Sequence, residues 1–178
     1  VVTLAISDVP GDDPAVIASG PTVADPTTLA DANEVIGKYG IQLPLAVRTH
    51  LDQANAETPK PGSSLLGRAS VRIIVTPQDA LEAAAKVARD AGVTPIILSD
   101  SMEGESQDVA SVHGAIARQI VQRGQPWPAP CVLLSGGETT VTIRGTGAGG
   151  PNSEFLLSLI LSLNGAPGIY ALACDTDG

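Results

Sequence analysis

The chain has few aromatic residues, few basic residues and only two cysteines. Aromatic side chains make up 2% of its 178 residues, so a core must be built from Ala, Val, Leu and Ile. Lys and Arg number 10 against 19 Asp and Glu, which gives a formal net charge of −9. This balance argues against a surface that binds nucleic-acid phosphates and against binding to an anionic membrane face.

The two cysteines, Cys131 and Cys174, stand beside apolar runs and form no CxxC pair. A disulfide framework or a structural zinc site is therefore not expected. The longest apolar stretch, Phe155 to Leu163, contains two serines and is too short to span a bilayer. The chain opens on Val1 without the charged and apolar blocks of a signal peptide, so we expect a cytoplasmic protein.

The hydrophobic fraction of 43% is that of a globular protein with a core of its own. Both ends are unusual. Val1 to Ile6 already has the composition of a buried strand, and Ile169 to Cys174 predicts another, followed at once by Asp175. We therefore expect a part of a longer protein, cut at both ends.

The first half of the chain predicts strands and helices in alternation. A strand ends near Ile6, and a long loop follows to Pro26. Asp25 and Pro26 are then the expected N-cap and first position of a helix that stops at Gly40. A second helix is expected to start at Pro44, and residues 55–64 are an expected surface loop.

The clearest pattern is a strand at 71–75 followed by a helix. Thr76 and Asp79 have the spacing of a capping box, and Gly92 is the expected end of that helix. A strand beginning at 95–98 would complete a βαβ unit, in which the two strands run parallel. Another helix is expected to end at Gly124.

The proline-rich segment 126–130 is the predicted linker between two domains, 1–125 and 131–178. After it, residues 131–134 and 139–143 predict the two strands of a hairpin around 135–138. A helix from Asn152 to Leu163 is apolar on nearly every side and is expected to be buried.

Three glycine-containing loops are candidate sites, each with a plain turn as the alternative. The first follows a strand end and holds Asp8, Gly11 and Asp12. The carboxylates of its two aspartates suit a base or a magnesium ligand. The second, with Ser19, Gly20 and Thr22, offers backbone N–H groups to an anion. The third is the segment of Ser135, Gly136, Gly137 and Glu138. His50 and His113 lie on predicted helices and are expected to be surface or packing residues.

Residues 145–150 match the pattern GxGxxG, with Gly145, Gly147 and Gly150 in the key positions. A dinucleotide site needs this pattern between a strand and a helix. The predicted hairpin argues against that site, and Pro151 removes one N–H from the helix start. A loop for a phosphate or a sugar acid is the better fit, and Arg144 beside it could neutralise the anion.

Five motifs in order carry a family resemblance: ISDVPGDDP, IASGPT, LSGGETTVT, the glycine loop with Asn152 and Glu154, and DTDG from Asp175. The series resembles the class II glycerate kinases, whose C-terminal domain is called MOFRL and many of which bear the older label hydroxypyruvate reductase. The resemblance implies a Rossmann-like parallel-sheet α/β domain followed by the start of a second, MOFRL-type α/β domain.

The resemblance also implies an activity, the transfer of phosphate from ATP to D-glycerate with Mg²⁺, in a cleft between two domains. It implies that a catalytic lysine of the family precedes this chain. Where the family reads GGRNQE, this chain has Pro151 in place of the arginine, and Arg144 is the candidate substitute. The implied partners are the nucleotide and a small acid, glycerate or hydroxypyruvate, and a homodimer is left open.

On this basis we assign roles to four candidate catalytic residues: Asp8, Glu138, Arg144 and Asp177. Asp175 is the candidate metal ligand. The remaining residues are assigned to substrate and nucleotide phosphates: Gly11, Asp12, Ser19, Gly20, Thr22, Ser135, Gly136, Gly137, Gly147, Gly149, Gly150, Asn152 and Glu154. Two alternatives stay open, an NAD(P)H-dependent hydroxypyruvate reductase and a truncated remnant without activity.

Overall fold

The computed structural model describes residues 1–53 and 55–175. Its first part contains β1 (Val2–Ile6), α1 (Leu29–Tyr39), α2 (Leu45–Leu51) and β2 (Ser70–Val75). Its second part contains α3 (Pro77–Asp90), β3 (Thr94–Glu105), α4 (Ser106–Arg123), β4 (Cys131–Thr140) and α5 (Pro151–Leu163). The fold is mixed α/β with parallel strand pairs, as the sequence predicted.

The chain divides into two compact units. One contains residues 1–6 and 13–74, and the other contains 7–12 together with the chain from residue 75 onward. In the first unit β1 pairs with β2, and the N–H of Ser70 donates to the carbonyl oxygen of Val1 at 3.0 Å. The domain boundary predicted at 126–130 stays a prediction.

In the second unit β3 and β4 form a parallel pair, with Thr94 opposite Cys131 and Ile97 opposite Leu134. Because α4 connects them, β3, α4 and β4 are the βαβ unit of the structure. The predicted pairing of strand 71–75 with strand 95–98 is wrong, since β2 pairs with β1 instead. The helix pattern between two strands marks a crossover, but it does not say which strand is the neighbour.

The hairpin predicted around 135–138 is also wrong. Residues 131–140 form one continuous strand, whose partner is β3, and residues 141–144 are not part of a strand. Two adjacent glycines predict a turn, but a glycine within a strand can instead mark a close approach of two backbones. The final strand predicted at 169–174 is wrong as well, because these residues join no sheet.

The helix starts follow from side-chain caps. The α3 capping box is confirmed, with the Asp79 N–H donating to Thr76 Oγ1 at 3.2 Å and the Thr76 N–H donating to Asp79 Oδ2 at 2.9 Å. The start predicted for α1 at Asp25 is wrong, because Thr28 and Asp31 form a second complete capping box three residues later. Asp25 instead accepts hydrogen bonds from Thr27 and Thr58, which hold its pKa at about 2.

Most of the buried apolar side chains lie in the second unit, where α3 and α4 cover the β3–β4 pair and α5 packs on α4. The fully or nearly buried set is small: Ile17, Leu81, Ala85, Ile96, Ala110, Ile120 and Leu159. Gly114 lets α5 approach α4, because a Cβ there would lie 2.7 Å from Ser162 Oγ. The prediction that α5 is buried is wrong for one face of the helix, since Ile160 and Leu161 are more than half exposed.

Candidate functional site

A groove of about 640 Å³ lies in the second unit, between the end of β3, residues 141–150 and the first turns of α5. It brings together several side chains and glycines that the sequence predicted for a phosphate or acid site. The predicted residues on its wall are Arg144, Gly147, Gly149, Gly150 and Glu154. The glycine-rich segment therefore forms the wall of a concave surface, and we call residues 145–150 the glycine loop.

Glu105, the last residue of β3, is one of the residues that line this groove. The Thr142 hydroxyl donates to Glu105 Oε1 at 2.6 Å, and the Thr142 N–H donates to Glu105 Oε2 at 3.2 Å. These bonds lower the pKa of Glu105, with the Thr142 hydroxyl as the largest cause. Sequence reasoning missed Glu105, because nothing near it in the chain marks its long-range contact with the segment that leads into the glycine loop.

The start of α5 forms the other wall. Gly150 is its N-cap in extended conformation, and Pro151 occupies the first helical position. The first amide groups of a helix have no intrahelical acceptor and carry partial positive charge, so this end favours an anion. Glu154 stands in the first turn and lowers that preference, while the exposed Arg144 on the same groove adds a positive charge.

Asn152, in the first turn of α5, contacts the predicted metal ligand. Its side-chain Nδ2 donates to Asp175 Oδ1 at 2.5 Å, which brings two predicted site residues together. Within residues 1–53 and 55–175 there is no group of three or more His, Cys, Asp or Glu side chains able to hold a metal ion. The predicted catalytic residue Asp177 lies outside the described residues.

Residues 135–138 lie within β4, and each has a different environment. The exposed Ser135 is hydrogen-bonded through Oγ to His113 Nε2 at 2.9 Å. At Gly137 a Cβ would come within 2.1 Å of the backbone oxygen of Met102, so this glycine is required by the approach of β3. Glu138 is exposed and stands opposite Glu103 in the register. The close approach of β3 therefore explains why residue 137 is glycine, without any role in ligand binding.

The loop after β1 begins with a buried residue, Ser7, whose N–H donates to the carbonyl oxygen of Val75 at 2.9 Å. Gly11 and Asp12 both have positive φ, of 85° and 54°. Asp12 Oδ1 is buried and has no hydrogen-bond partner in the described chain, whereas Asp8 is exposed. A non-glycine residue held in this conformation is uncommon and often functional, so Asp12 keeps its place among the candidates.

The predicted anion loop of Ser19, Gly20 and Thr22 belongs to the first unit. Ser19 and Gly20 have positive φ, and a Cβ on Gly20 would come within 2.7 Å of the Ala15 oxygen. The Thr22 hydroxyl is hydrogen-bonded to the Thr3 hydroxyl at 2.8 Å. Gly20 and Thr22 therefore hold a tight turn in place, while the exposed Ser19 remains open to a ligand.

The sequence predicts His113 to be a surface or packing residue, and in the structure its ring both packs and forms two hydrogen bonds. The ring is 8% exposed, stands edge-on to Phe155 with centroids 5.2 Å apart, and uses both nitrogens in hydrogen bonds. The sequence signal was its place on the apolar face of α4, which does not show that it reaches a residue on β4.

Two family models match the chain. Residues 1–52 match a domain of unknown function, DUF4147, and residues 131–178 match the MOFRL family. A protein of Agrobacterium vitis provisionally named a hydroxypyruvate reductase is 54% identical over 100% of this chain and 40% of its own length. A glycerate 2-kinase of Pyrococcus horikoshii is 39% identical over 99% of this chain and 41% of its own length.

A solved structure agrees with these matches. The crystal structure of the glycerate kinase of Thermotoga maritima matches 94% of this chain with a TM-score of 0.72 and 34% identity, and the match covers 39% of that protein. Over nearly its whole length, the chain is similar to proteins named glycerate kinase. It spans about 40% of the length of the curated relatives it matches. No helix within the described ranges is both long and apolar enough to cross a membrane.

Proposed function

We propose that the protein transfers the terminal phosphoryl group of ATP to D-glycerate and forms 2-phosphoglycerate. The observation that carries the proposal is the similarity of nearly the whole chain to proteins named glycerate kinases, at 39% identity for one of them. The groove beside the glycine loop supports it, because phosphoryl transfer depends on positioning and charge neutralisation more than on covalent chemistry.

In this proposal the groove holds phosphate oxygens. The backbone N–H groups of the glycine loop and of the first turn of α5 would donate to them, and Arg144 would add a positive charge in place of the arginine that Pro151 replaces. Glu105 would act indirectly. Its hydrogen bonds to Thr142 would fix the path of the chain into the glycine loop.

Magnesium would neutralise charge on the phosphates. Mg²⁺ usually keeps several waters and takes only one or two protein carboxylates, so the lack of a larger cluster in the described chain is compatible with it. Asp175, which accepts a hydrogen bond from Asn152, is the carboxylate that we propose as a magnesium ligand. Asp8 and Glu138, both exposed, remain candidates for a base that accepts the glycerate proton.

A second candidate function, NAD(P)H-dependent hydroxypyruvate reduction, is favoured by the GxGxxG pattern and by the name of the Agrobacterium vitis relative. The parallel pairing of β4 with β3 removes the hairpin as an argument against it. Two features still disfavour it. The glycines of a dinucleotide site follow their strand in a tight turn, whereas here β4 ends at Thr140 and Pro151 lacks the N–H at the helix start.

An assay of the full-length polypeptide with D-glycerate and Mg-ATP tests the proposal, with ADP release measured by a coupled reaction and the product identified by phosphorus NMR. We expect ADP and 2-phosphoglycerate. No ADP, together with NADH or NADPH oxidation on hydroxypyruvate, would replace the kinase by the reductase. For the 178-residue chain alone we expect little or no turnover. We also propose a cytoplasmic location, no nucleic-acid partner and a homodimer as the assembly to be tested by light scattering.

A further inference from the structure

The buried ring of His113 is fixed on three sides. It lies on α4, packs edge-on against Phe155 of α5 at an interplanar angle of 76°, and reaches β4 through Ser135. Nδ1 is 2.8 Å from the carbonyl oxygen of Val109, one turn earlier in the same helix. The ring therefore cannot turn without breaking contacts to two other elements of the second unit.

These partners decide where the protons lie. A carbonyl oxygen can only accept, so Nδ1 carries the ring hydrogen and donates it to Val109. In the neutral imidazole the other nitrogen, Nε2, then has a free lone pair and accepts the hydrogen of the Ser135 hydroxyl. The Ser135 hydroxyl hydrogen thus points toward His113.

The exposed side of Ser135 is left with oxygen lone pairs only. An oxygen that already donates its hydrogen can accept a bond from a ligand hydroxyl, and donation to histidine strengthens it as an acceptor. Its only hydrogen is already donated to His113, so it has none left for a phosphate or carboxylate oxygen, which can only accept. Ser135 is therefore poorly suited to the phosphate contact that the sequence suggested.

The position of Ser135 is set by the sheet rather than by a loop. It lies in β4 opposite Ser99 of β3, where the register between the two strands is interrupted. Two residues further on, the Gly137 backbone presses against Met102. A side chain with one rotatable bond on such a backbone presents its oxygen at a defined point, as a specificity contact requires.

We propose that Ser135 accepts a hydrogen bond from a hydroxyl group of the acid substrate, and that His113 is the positioning residue that holds its hydrogen away from the ligand. The inference rests on the proposed glycerate kinase function and assigns Ser135 to the alcohol end of glycerate. It separates this residue from the glycine loop, which is proposed for the phosphates.

The test uses four forms of the full-length polypeptide: wild type, Ser135→Ala, His113→Leu and His113→Gln. Glutamine keeps an oxygen able to accept the serine hydrogen, so it is the conservative control. We expect Ser135→Ala and His113→Leu to raise the KM for D-glycerate roughly tenfold and to leave the KM for ATP within about twofold, with His113→Gln close to wild type. A purely structural contact would instead lower stability and change both KM values together.

Two deoxy analogues, lactate and 3-hydroxypropionate, sharpen the result as competitive inhibitors. Wild type should discriminate against the analogue that lacks the hydroxyl bound by Ser135, and Ser135→Ala should lose that discrimination. Unchanged discrimination for both analogues would overturn the inference. If wild type makes no ADP from D-glycerate, the proposed function fails instead. Nitrogen NMR of the His113 ring, assigned by comparison with His113→Gln, still reports whether His113 carries its hydrogen on Nδ1.

Discussion

The two glycine-rich segments of the second unit look alike in sequence and differ in structure. In residues 135–138 the glycines lie inside β4, and at Gly137 the backbone of β3 fills the space where a side chain would be. In the glycine loop, by contrast, a Cβ at Gly145, Gly147 or Gly150 would meet nothing within 4 Å. The first segment needs glycine so that the sheet can form, and the second has room for a ligand.

The sharpest test of the first half of that comparison is Gly137→Ala. A φ of 142° and a Cβ position 2.1 Å from a backbone oxygen leave no room for a methyl group. We expect a loss of about 3 kcal/mol or more in the free energy of unfolding, measured by denaturant titration of the full-length polypeptide.

Gly136→Ala is the matched control for that change. Its Cβ would lie 3.6 Å from Leu81, an ordinary contact distance, so we expect a loss below about 1 kcal/mol. Equal losses in the two variants would contradict the account of this segment.

Pro151→Arg tests the second half of the comparison, because it restores a cation at the start of α5 beside the glycine loop. We expect kcat/KM on D-glycerate and Mg-ATP to rise roughly tenfold, at a small cost in stability because a cation near a helix N-terminus is unfavourable. Pro151→Ala separates the loss of proline from the gain of charge. If both variants have wild-type activity, Arg144 or another group already supplies the positive charge that this site needs.

Glu105→Gln should loosen the glycine loop without unfolding the sheet. The neutral amide accepts more weakly from Thr142, so we expect the KM for ATP to rise roughly threefold to tenfold. Glu103→Gln, an exposed change on the same strand, is the control and should leave this KM unchanged.

The lowered pKa of Glu105 predicts that the stability difference between wild type and Glu105→Gln depends on pH. Because the pKa of Glu105 is lowered in the folded protein, its contribution to stability is present above the ordinary value of 4.5 and is lost as the pH falls through the lowered pKa. The stability difference between wild type and Glu105→Gln should therefore shrink below pH 4.5. A difference that does not shrink as the pH is lowered would argue against an ionised anchor.

The smallest effect is expected for Gly147→Ala. This glycine faces open space, so the free energy of unfolding should change by less than about 0.5 kcal/mol, while the KM for ATP rises if the loop binds the nucleotide. Thermal unfolding and steady-state kinetics measure both. A large loss of stability with unchanged KM would make this loop a structural element like residues 135–138.

Local patterns in the sequence predicted the local structure. The Thr76 capping box and the stops at Gly40 and Gly124 depend on residues a few positions apart, and the structure confirms each. The strand pairing could not be predicted in this way. β2 pairs with β1 across a long segment, and β4 pairs with β3 where a hairpin was expected, because partner choice depends on distant residues.

The candidate site shows the same division. Arg144, Gly147 and Glu154 lie on one groove, and their assignment to a phosphate or acid site stays a prediction. Glu105 and His113 were missed because their partners, Thr142 and Ser135, are remote in the chain. A carboxylate before a helix and a histidine on its apolar face look ordinary until the sheet brings those partners close.

Amide hydrogen exchange of the full-length polypeptide, with and without Mg-ATP, tests most directly whether the two glycine-rich segments have different roles. We expect peptides covering 135–138 to exchange slowly in both states, since this segment belongs to the β3–β4 pair. Peptides covering 145–150 should exchange fast alone and slowly with nucleotide. Equal exchange of residues 145–150 in both states, or nucleotide-dependent protection confined to 135–138, would contradict the account.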